Sequence, residues 1–318
     1  MNYVGIDISK EKFDVAISEN ESYKHYVFTN DTIGFKQLIK LLNKSKHWCI
    51  MEASGPYYQK LAMFLHANEI ELSVVNPLVI RRFCQMRLMK AKTDKKDAIM
   101  IAEYGKTEQP KAWIADQAHH LELKQMQAFL DQLDKSRTNY IRQLEAFSQS
   151  PNMHKAVKKG LSKMIKTVEA QIQEIEDKME EIIRQYHNEM FEQIKSIPGV
   201  GKKTSLLLVV ISAGFTKFQN AKQLCSYVGL SPRIFESGSS VKGKVKICKM
   251  GMSKIRAKLY VCSWSAIKYN KACKDLYTRI VEKGKPKQVA LIAVANKLLK
   301  QAFVLATRKE FYRETSFC

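Results

Sequence analysis

Apolar and polar positions alternate with short periods over the first part of the chain. The stretch YVGIDIS is short, apolar and β-branched with an acid inside it. KFDVAISE and YKHYVFTN follow, with turn-forming residues between them, so three consecutive strands are predicted. After the capping signal Asn30-Asp31, TIGFKQLIKLLNK places Ile33, Leu38, Leu41 and Leu42 on one helical face. HWCIMEAS reads as a buried strand, PYYQKLAMFLHANE as a helix beginning at its proline, ELSVVN as a fifth strand and PLVIRRFCQM as a helix. The order βββαβαβα demands an α/β layer structure, antiparallel over its first strands and parallel over the rest. That is the RNase H-like order.

From Leu121 the texture changes. Strand patterns vanish, and Met126, Leu130, Leu133, Tyr140, Leu144 and Phe147 recur at steps of four and three, interrupted by Arg137. Pro151 breaks this helix, and Leu161, Ile165, Val168, Ile172, Ile175, Met179, Ile182 and Tyr186 resume the heptad spacing. An antiparallel helical hairpin and a dimerising coiled coil both satisfy that pattern. A further globular part opens near Ile194 with IKSIPGVGKKTSLLLVVISAG. It ends in two helices, SKIRAKLYVCSWSAIKY and VALIAVANKLLKQAFVLATRK, parted by the basic loop EKGKPK. The expected organisation is an α/β domain over 1–115, a helical coiled-coil or hairpin linker over 116–190 and a mainly α domain over 191–318.

Charge adds a partner to this outline. The 318 residues carry 53 Lys+Arg against 31 Asp+Glu, a net +22, and such an excess calls for a polyanion, naturally nucleic acid. A membrane surface is the competing polyanion, but no segment approaches the roughly 18 to 20 unbroken apolar residues of a span. The opening MNYVGIDISKEKFD lacks the basic-then-apolar order of a signal peptide, so a cytoplasmic location is expected. Seven cysteines without a CxxC pair indicate neither a disulfide framework nor a zinc ribbon. His119-His120 is the only adjacent histidine pair, and neighbouring helix positions point to different faces, so a ligand role is not expected there.

The acids of the first domain carry the chemistry. Asp7 sits inside a hydrophobic strand, where an unpaired charge loses its hydration, so it needs a compensating cation. Glu52 ends the fourth strand, which in this order lies beside the first. AKTDKKDAIMIAEYG offers Asp94 and Asp97 on one face of a helix start. Four carboxylates can thus meet at one edge of the sheet. Such hard oxygen donors suit Mg2+ or Mn2+, and two ions about 3.5 to 4 Å apart clamp the attacking and leaving oxygens at phosphorus. The plainer alternatives are an N-cap at Asp94, a first-turn charge at Asp97, and lysine partners for Asp7 and Glu52. Asp14, in the second strand, is expected to face solvent.

Two further segments suggest phosphate contact. In IPGVGKKT, Pro198 and Gly199 make a turn resembling that of a helix-hairpin-helix. Gly199 and Gly201 would let backbone N–H groups face a phosphate, with Lys202 and Lys203 adding charge. Downstream, a glycine, serine and lysine-rich loop holds Ser237, Ser239 and Ser240, which the residues alone do not tell apart. Arg233, Lys242, Lys244, Lys246, Lys249, Lys254 and Arg256 surround them, a cationic setting for a phosphoryl-transfer transition state.

GIDISKEKFDVAI, MEASGPYY, KTDKKDA, IPGVGKKT and the YVGLSPRIFESG…KMGMSKIRAKLY block together resemble, in order and spacing, the DEDD-type insertion-sequence transposases of the IS110 family, with Piv-like invertases as relatives. The resemblance implies a RuvC-like N-terminal domain whose DEDD tetrad is Asp7, Glu52, Asp94 and Asp97. It also implies a C-terminal transposase domain with a nucleophilic serine at Ser237, which stands before Gly238. A structured non-coding guide RNA that pairs with donor and target DNA is implied as well, leaving the protein to hold backbones and shape. The expected activity is metal-dependent cutting and rejoining of DNA through a phosphoserine, in a homo-oligomeric dimer or tetramer. The alternative is a RuvC-like nuclease or Holliday junction resolvase with water as the attacker.

Overall fold

The computed structural model describes residues 2–19, 22–89, 93–233, 236–237, 241–242, 246–247 and 251–314. The chain forms two compact units, Met1–Ala115 and Asp116–Cys318.

In the first unit the strands are β1 (Asn2–Ile8), β2 (Lys12–Glu19), β3 (Ser22–Thr29), β4 (His47–Glu52) and β5 (Glu71–Val75). The helices are α1 (Thr32–Ile39), α2 (Gln59–Ala67), α3 (Pro77–Met86) and α4 (Asp94–Glu108). They make one mixed sheet in the order β3-β2-β1-β4-β5. The β1–β2 and β2–β3 pairs are antiparallel, and the β1–β4 and β4–β5 pairs are parallel. Asp31 caps α1, its carboxylate accepting from the N–H groups of Ile33 and Gly34. The helix expected from Pro56 starts later, at Gln59, because the chain first turns through Gly55 at φ +58°.

The period-2 pattern sorts the sheet into two faces. Val4, Ile6, Ile8, Phe13, Val15, Cys49 and Met51 point to one side, where Phe35 and Leu38 of α1 and Leu61 and Leu65 of α2 complete a core. Ile50 points to the other side, into a smaller core with Ile80 of α3 and Ile101 of α4. Gly5 lets α4 lie directly on β1: a Cβ there would stand 2.0 Å from the Ala98 carbonyl oxygen and 2.4 Å from the Ala102 nitrogen. Neither backbone atom can yield cheaply. Gly5→Ala is therefore expected to destabilise the unit by about 3 kcal/mol, read as a lower urea midpoint; an unchanged midpoint would mean that α4 does not sit on β1.

The second unit holds α5 (Ala118–Ser148), α6 (Lys155–Lys195), α7 (Lys202–Ser212), α8 (Ala221–Val228), α9 (Ser253–Tyr269), α10 (Lys271–Glu282) and α11 (Lys287–Arg308). Between α8 and α9 lie four two-residue strands, β6 (Pro232–Arg233), β7 (Glu236–Ser237), β8 (Val241–Lys242) and β9 (Lys246–Ile247). Helices α5 and α6 pair within the chain as a hairpin. Leu123, Leu130 and Leu133 of α5 share a core with Val168, Ile172, Met179 and Ile183 of α6, and that core continues into α7, α8, α9 and α11. Helix α11 is long and apolar enough to cross a membrane by length and composition, but most of it is buried, with Val294, Leu298 and Leu299 inside the core. Helix α10 occupies sequence with no separate predicted helix. Buried Asn270 ends α9 and caps α10, its Oδ1 accepting from the Cys273 N–H and the Tyr312 hydroxyl while its amide donates to Gln301.

Candidate active site

The parallel ladder between β1 and β4 pairs Ile6 with Met51, so the next step brings Asp7 beside Glu52. Across the antiparallel ladder Asp7 faces Asp14. Residues in register share a face, here the face covered by α4. Thr93 is the N-cap of α4, its hydroxyl accepting from the Lys96 N–H at 3.3 Å. Asp94 is thus the first helical residue and not the cap, and Asp97 follows within the first turn. The helix crosses the sheet so that this turn, with the favourable N-terminal end of its dipole, joins the end of β1 that carries Asp7.

Electrostatics report the convergence. Burial first, then the charges of Asp97, Glu52, Asp94 and Asp14 in descending order, push the Asp7 carboxyl from 3.8 up to about 6. Among the described residues the charges acting on Asp7 are all carboxylates, which is the environment of a cation site. Glu52, Asp94 and Asp14 are also held by other side chains. Glu52 accepts from the Ser54 hydroxyl at 2.7 Å, and Lys12 Nζ lies 2.9 Å from Asp94 Oδ2 and 3.4 Å from Asp14 Oδ2.

Asp14 corrects an expectation. It does not face solvent: it is 5% exposed and bonded to His25 Nε2 at 2.8 Å. The alternation along β2 places it on the inner face with Ala16, where α4 packs on the sheet and His25 of the neighbouring β3 reaches it. Lys12 and His25, which partner Asp14, carry no signal in a linear reading because their roles arise from cross-strand register.

In the second unit, the IPGVGKKT turn joins α6 to α7. Gly199 has φ +99°, and a Cβ there would come within 2.7 Å of Ala266 on α9, so turn and helix contact both require glycine. Around Gly201, the N-cap of α7, a Cβ would meet open space. Lys202 pairs with Glu180 and Asp177, and Lys203 with Glu176 at 2.8 Å, all on α6. The lysines are half-exposed while Glu176 and Glu180 are largely buried, so these pairs tie the start of α7 to α6.

The four short strands nest, β6 pairing with β9 and β7 with β8, so that Ser237 lies opposite Val241 in the inner pair. Arg233 pairs with Lys246 in the outer pair, and Glu236 with Lys242 in the inner. Gly251, at φ +138°, packs on the backbone of Tyr227 and Val228, and Arg256 donates to the Val228 carbonyl at 2.9 Å. The C-terminal end of the segment is thereby fastened to the end of α8, the helix from which the segment sets out. Lys254 pairs with Asp131 on α5. Lys244, Lys249, Ser239 and Ser240 lie outside the described residues.

A DEDD-type IS110 transposase model matches residues 4–149, and a model of the IS116/IS110/IS902 transposase family matches 191–278. The pilin gene-inverting proteins of Moraxella lacunata and Moraxella bovis are each 31% identical over 95% of this chain and 95% of their own length. The chain belongs to the IS110 transposase family. A transposase for insertion sequence element IS1111A from Coxiella burnetii is 24% identical over 98% of this chain and 91% of its own. As an IS110-family transposase the protein is a DNA recombinase, and DNA is its substrate. The first family match spans all four converging carboxylates, and the second spans the glycine turn and Ser237.

This transposase also holds a histidine cluster in its second unit. His119 and His120 in the first turn of α5 meet His187 on α6, with one ring nitrogen of each within 4.8 Å of the others. Burial, followed by the nearby His119 and His187, pushes His120 down to about 4.

Proposed function

We propose that this transposase cuts and rejoins DNA with a metal-dependent carboxylate tetrad, Asp7, Glu52, Asp94 and Asp97, and with Ser237 as the nucleophile. The observation that carries the reading is the convergence of the tetrad on a half-buried Asp7 whose charged form is disfavoured. The strand order β3-β2-β1-β4-β5, with β2 antiparallel to β1, supports an RNase H-like, RuvC-like unit.

The donor set fits a hard divalent ion. Four carboxylates at one sheet end, on the same face, supply oxygen ligands and too much negative charge for the site's own cations. Asp7, Glu52, Asp94 and Asp97 would hold Mg2+ or Mn2+, two ions in our reading, which when bound neutralise charge at a scissile phosphate and polarise it. Lys12 orients Asp94, and Ser54 orients Glu52. At Ser237, the Oγ–P bond forms as the bond from phosphorus to one sugar oxygen breaks. The seryl proton is lost to solvent, and the sugar oxygen takes one up. The phosphoserine keeps a phosphodiester-like bond, so a second strand's hydroxyl can reverse the step without an external energy source.

The lysines and arginines around Ser237, with the Gly199–Gly201 turn, would grip phosphates regardless of sequence. Target choice then falls to a structured guide RNA that pairs with donor and target DNA, consistent with the +22 charge. Because tetrad and serine belong to different units, a homo-oligomer would share composite centres.

Removal of metal is expected to stop cleavage of donor and target DNA, and Mg2+ or Mn2+ to restore it. Cleavage undiminished in chelator contradicts the reading. Metal affinity has a predictable pH dependence: Asp7 must lose its proton to bind. The rise in Tm on adding Mn2+ is therefore expected to be larger at pH 7.5 than at pH 5, through the window set by its value of about 6. An equal rise at both values would show that Asp7 is not a ligand.

A further inference from the structure

We propose that His119, His120 and His187 form a second metal site, of the zinc class, separate from the carboxylate tetrad and fastening the start of α5 to a break in α6. The three rings come together because both helices depart from regular geometry there. Helix α5 begins directly after Gln117, so His119 and His120 project from its open first turn. Helix α6 is interrupted at His187, whose φ of −142° and ψ of 27° are not helical. Adjacent positions on a helix do point in different directions, but they can flank a third ring arriving from a kinked neighbour.

The spacing suits nitrogen coordination. A tetrahedral ion with Zn–N bonds of ~2.0–2.1 Å sets its nitrogen ligands ~3.3 Å apart. His119 Nε2 and His187 Nε2 are hydrogen-bonded to each other at 3.1 Å, a contact that a bound ion would replace, and ring nitrogens of all three residues lie within 4.8 Å of one another. The third ligand closes with about 1.5 Å of ring movement or less. The rings are also held in place. His119 stacks flat on Tyr186, centroids 4.1 Å apart and planes 2° apart, while His120 stacks on His187 at 4.9 Å and 29°. Behind His187, Gly214 sits at φ +65°, and a Cβ there would approach the ring to 3.1 Å.

A purely aromatic stack accounts poorly for the polar atoms. His119 and His120 are 8% and 6% exposed, and His120 Nδ1 is buried with no hydrogen-bond partner among the described residues. Leaving such a nitrogen unsatisfied costs about 1–3 kcal/mol. Coordination gives imidazole lone pairs in this cluster a use. Imidazole donors favour Zn2+, Co2+, Ni2+ or Cu2+ over the Mg2+ and Mn2+ that suit carboxylates, so the two sites call for different metals. The inference does not rest on the tetrad's proposed role.

The test uses the full-length chain without an affinity tag, stripped with a chelator and titrated with Co2+ and with Zn2+. One equivalent of Co2+ with the visible bands of a four-coordinate site of three nitrogens and one water is expected, together with a Tm rise on Zn2+. His119→Gln and His187→Gln should weaken Zn2+ binding at least tenfold, while Asp7→Asn leaves it unchanged. Absence of stoichiometric uptake, or uptake that survives both histidine substitutions, overturns the proposal. Should a variant misfold by circular dichroism, X-ray absorption of the zinc-loaded wild-type chain decides. Three imidazole nitrogens support the site, and an oxygen-only shell refutes it.

Discussion

Ser237→Ala is expected to leave the chain folded and able to bind DNA and divalent metal, while rejoined product falls by about three orders of magnitude or more. The substitution removes one hydroxyl from a two-residue strand in a nested pair of hairpins whose C-terminal end is secured elsewhere, at Gly251 and Arg256. Folding should therefore not register it. Loss of the oxygen proposed to carry the strand, by contrast, ends covalent chemistry. Full rejoining by this variant would mean that another group attacks, and product with free ends and no adduct would point to a water-using nuclease.

Asp7→Asn is expected to do two opposite things. Recombination should fall by about three orders of magnitude or more, as for loss of a central member of a catalytic unit. The metal-free protein should nevertheless become more stable at pH 7. The sign follows from the raised value of about 6: the folded state disfavours the Asp7 charge, so stability is lost as pH rises from near 4 through 6. Asparagine removes that penalty. After solvent screening at a half-buried position the gain is of order 1 kcal/mol, and it should shrink as pH falls below 6 and wild-type Asp7 takes up its proton. Urea unfolding in chelator at pH 7.5 and pH 4.5 measures it. A variant less stable than wild type at pH 7.5 would mean that Asp7 is held by favourable contacts instead of repulsion.

Local patterns made much of this legible in the sequence. Apolar alternation in YVGIDIS and KFDVAISE and the proline-led start of α3 mark their elements because one face of each is buried and the chain chemistry at their ends is explicit. The acids proposed as the tetrad stand out for a related reason, since Asp7 stands inside an apolar strand and Asp94 and Asp97 open a helix. What escaped depends on partners distant in sequence. Asp14 looks like an outward residue until β2 is set in register with β1 and covered by α4. Asn270 resembles any loop asparagine, yet Gln301 and Tyr312 make it the hinge between α9 and α10. His119 and His120 meet His187 only because α6 breaks, and no residue near position 187 announces that break as a proline would.

In the proposed mechanism a serine in the second unit and a carboxylate tetrad in the first serve one strand-exchange reaction. Its most direct measurement is to quench the Mg2+-dependent reaction on donor and target DNA with denaturant, digest protein and DNA, and map by mass spectrometry any peptide that carries a nucleotide. The account predicts a nucleotide joined through phosphate to Ser237, absent from Ser237→Ala and from Asp7→Asn. Cleaved DNA with no such peptide, or with the nucleotide on a different residue, would contradict it.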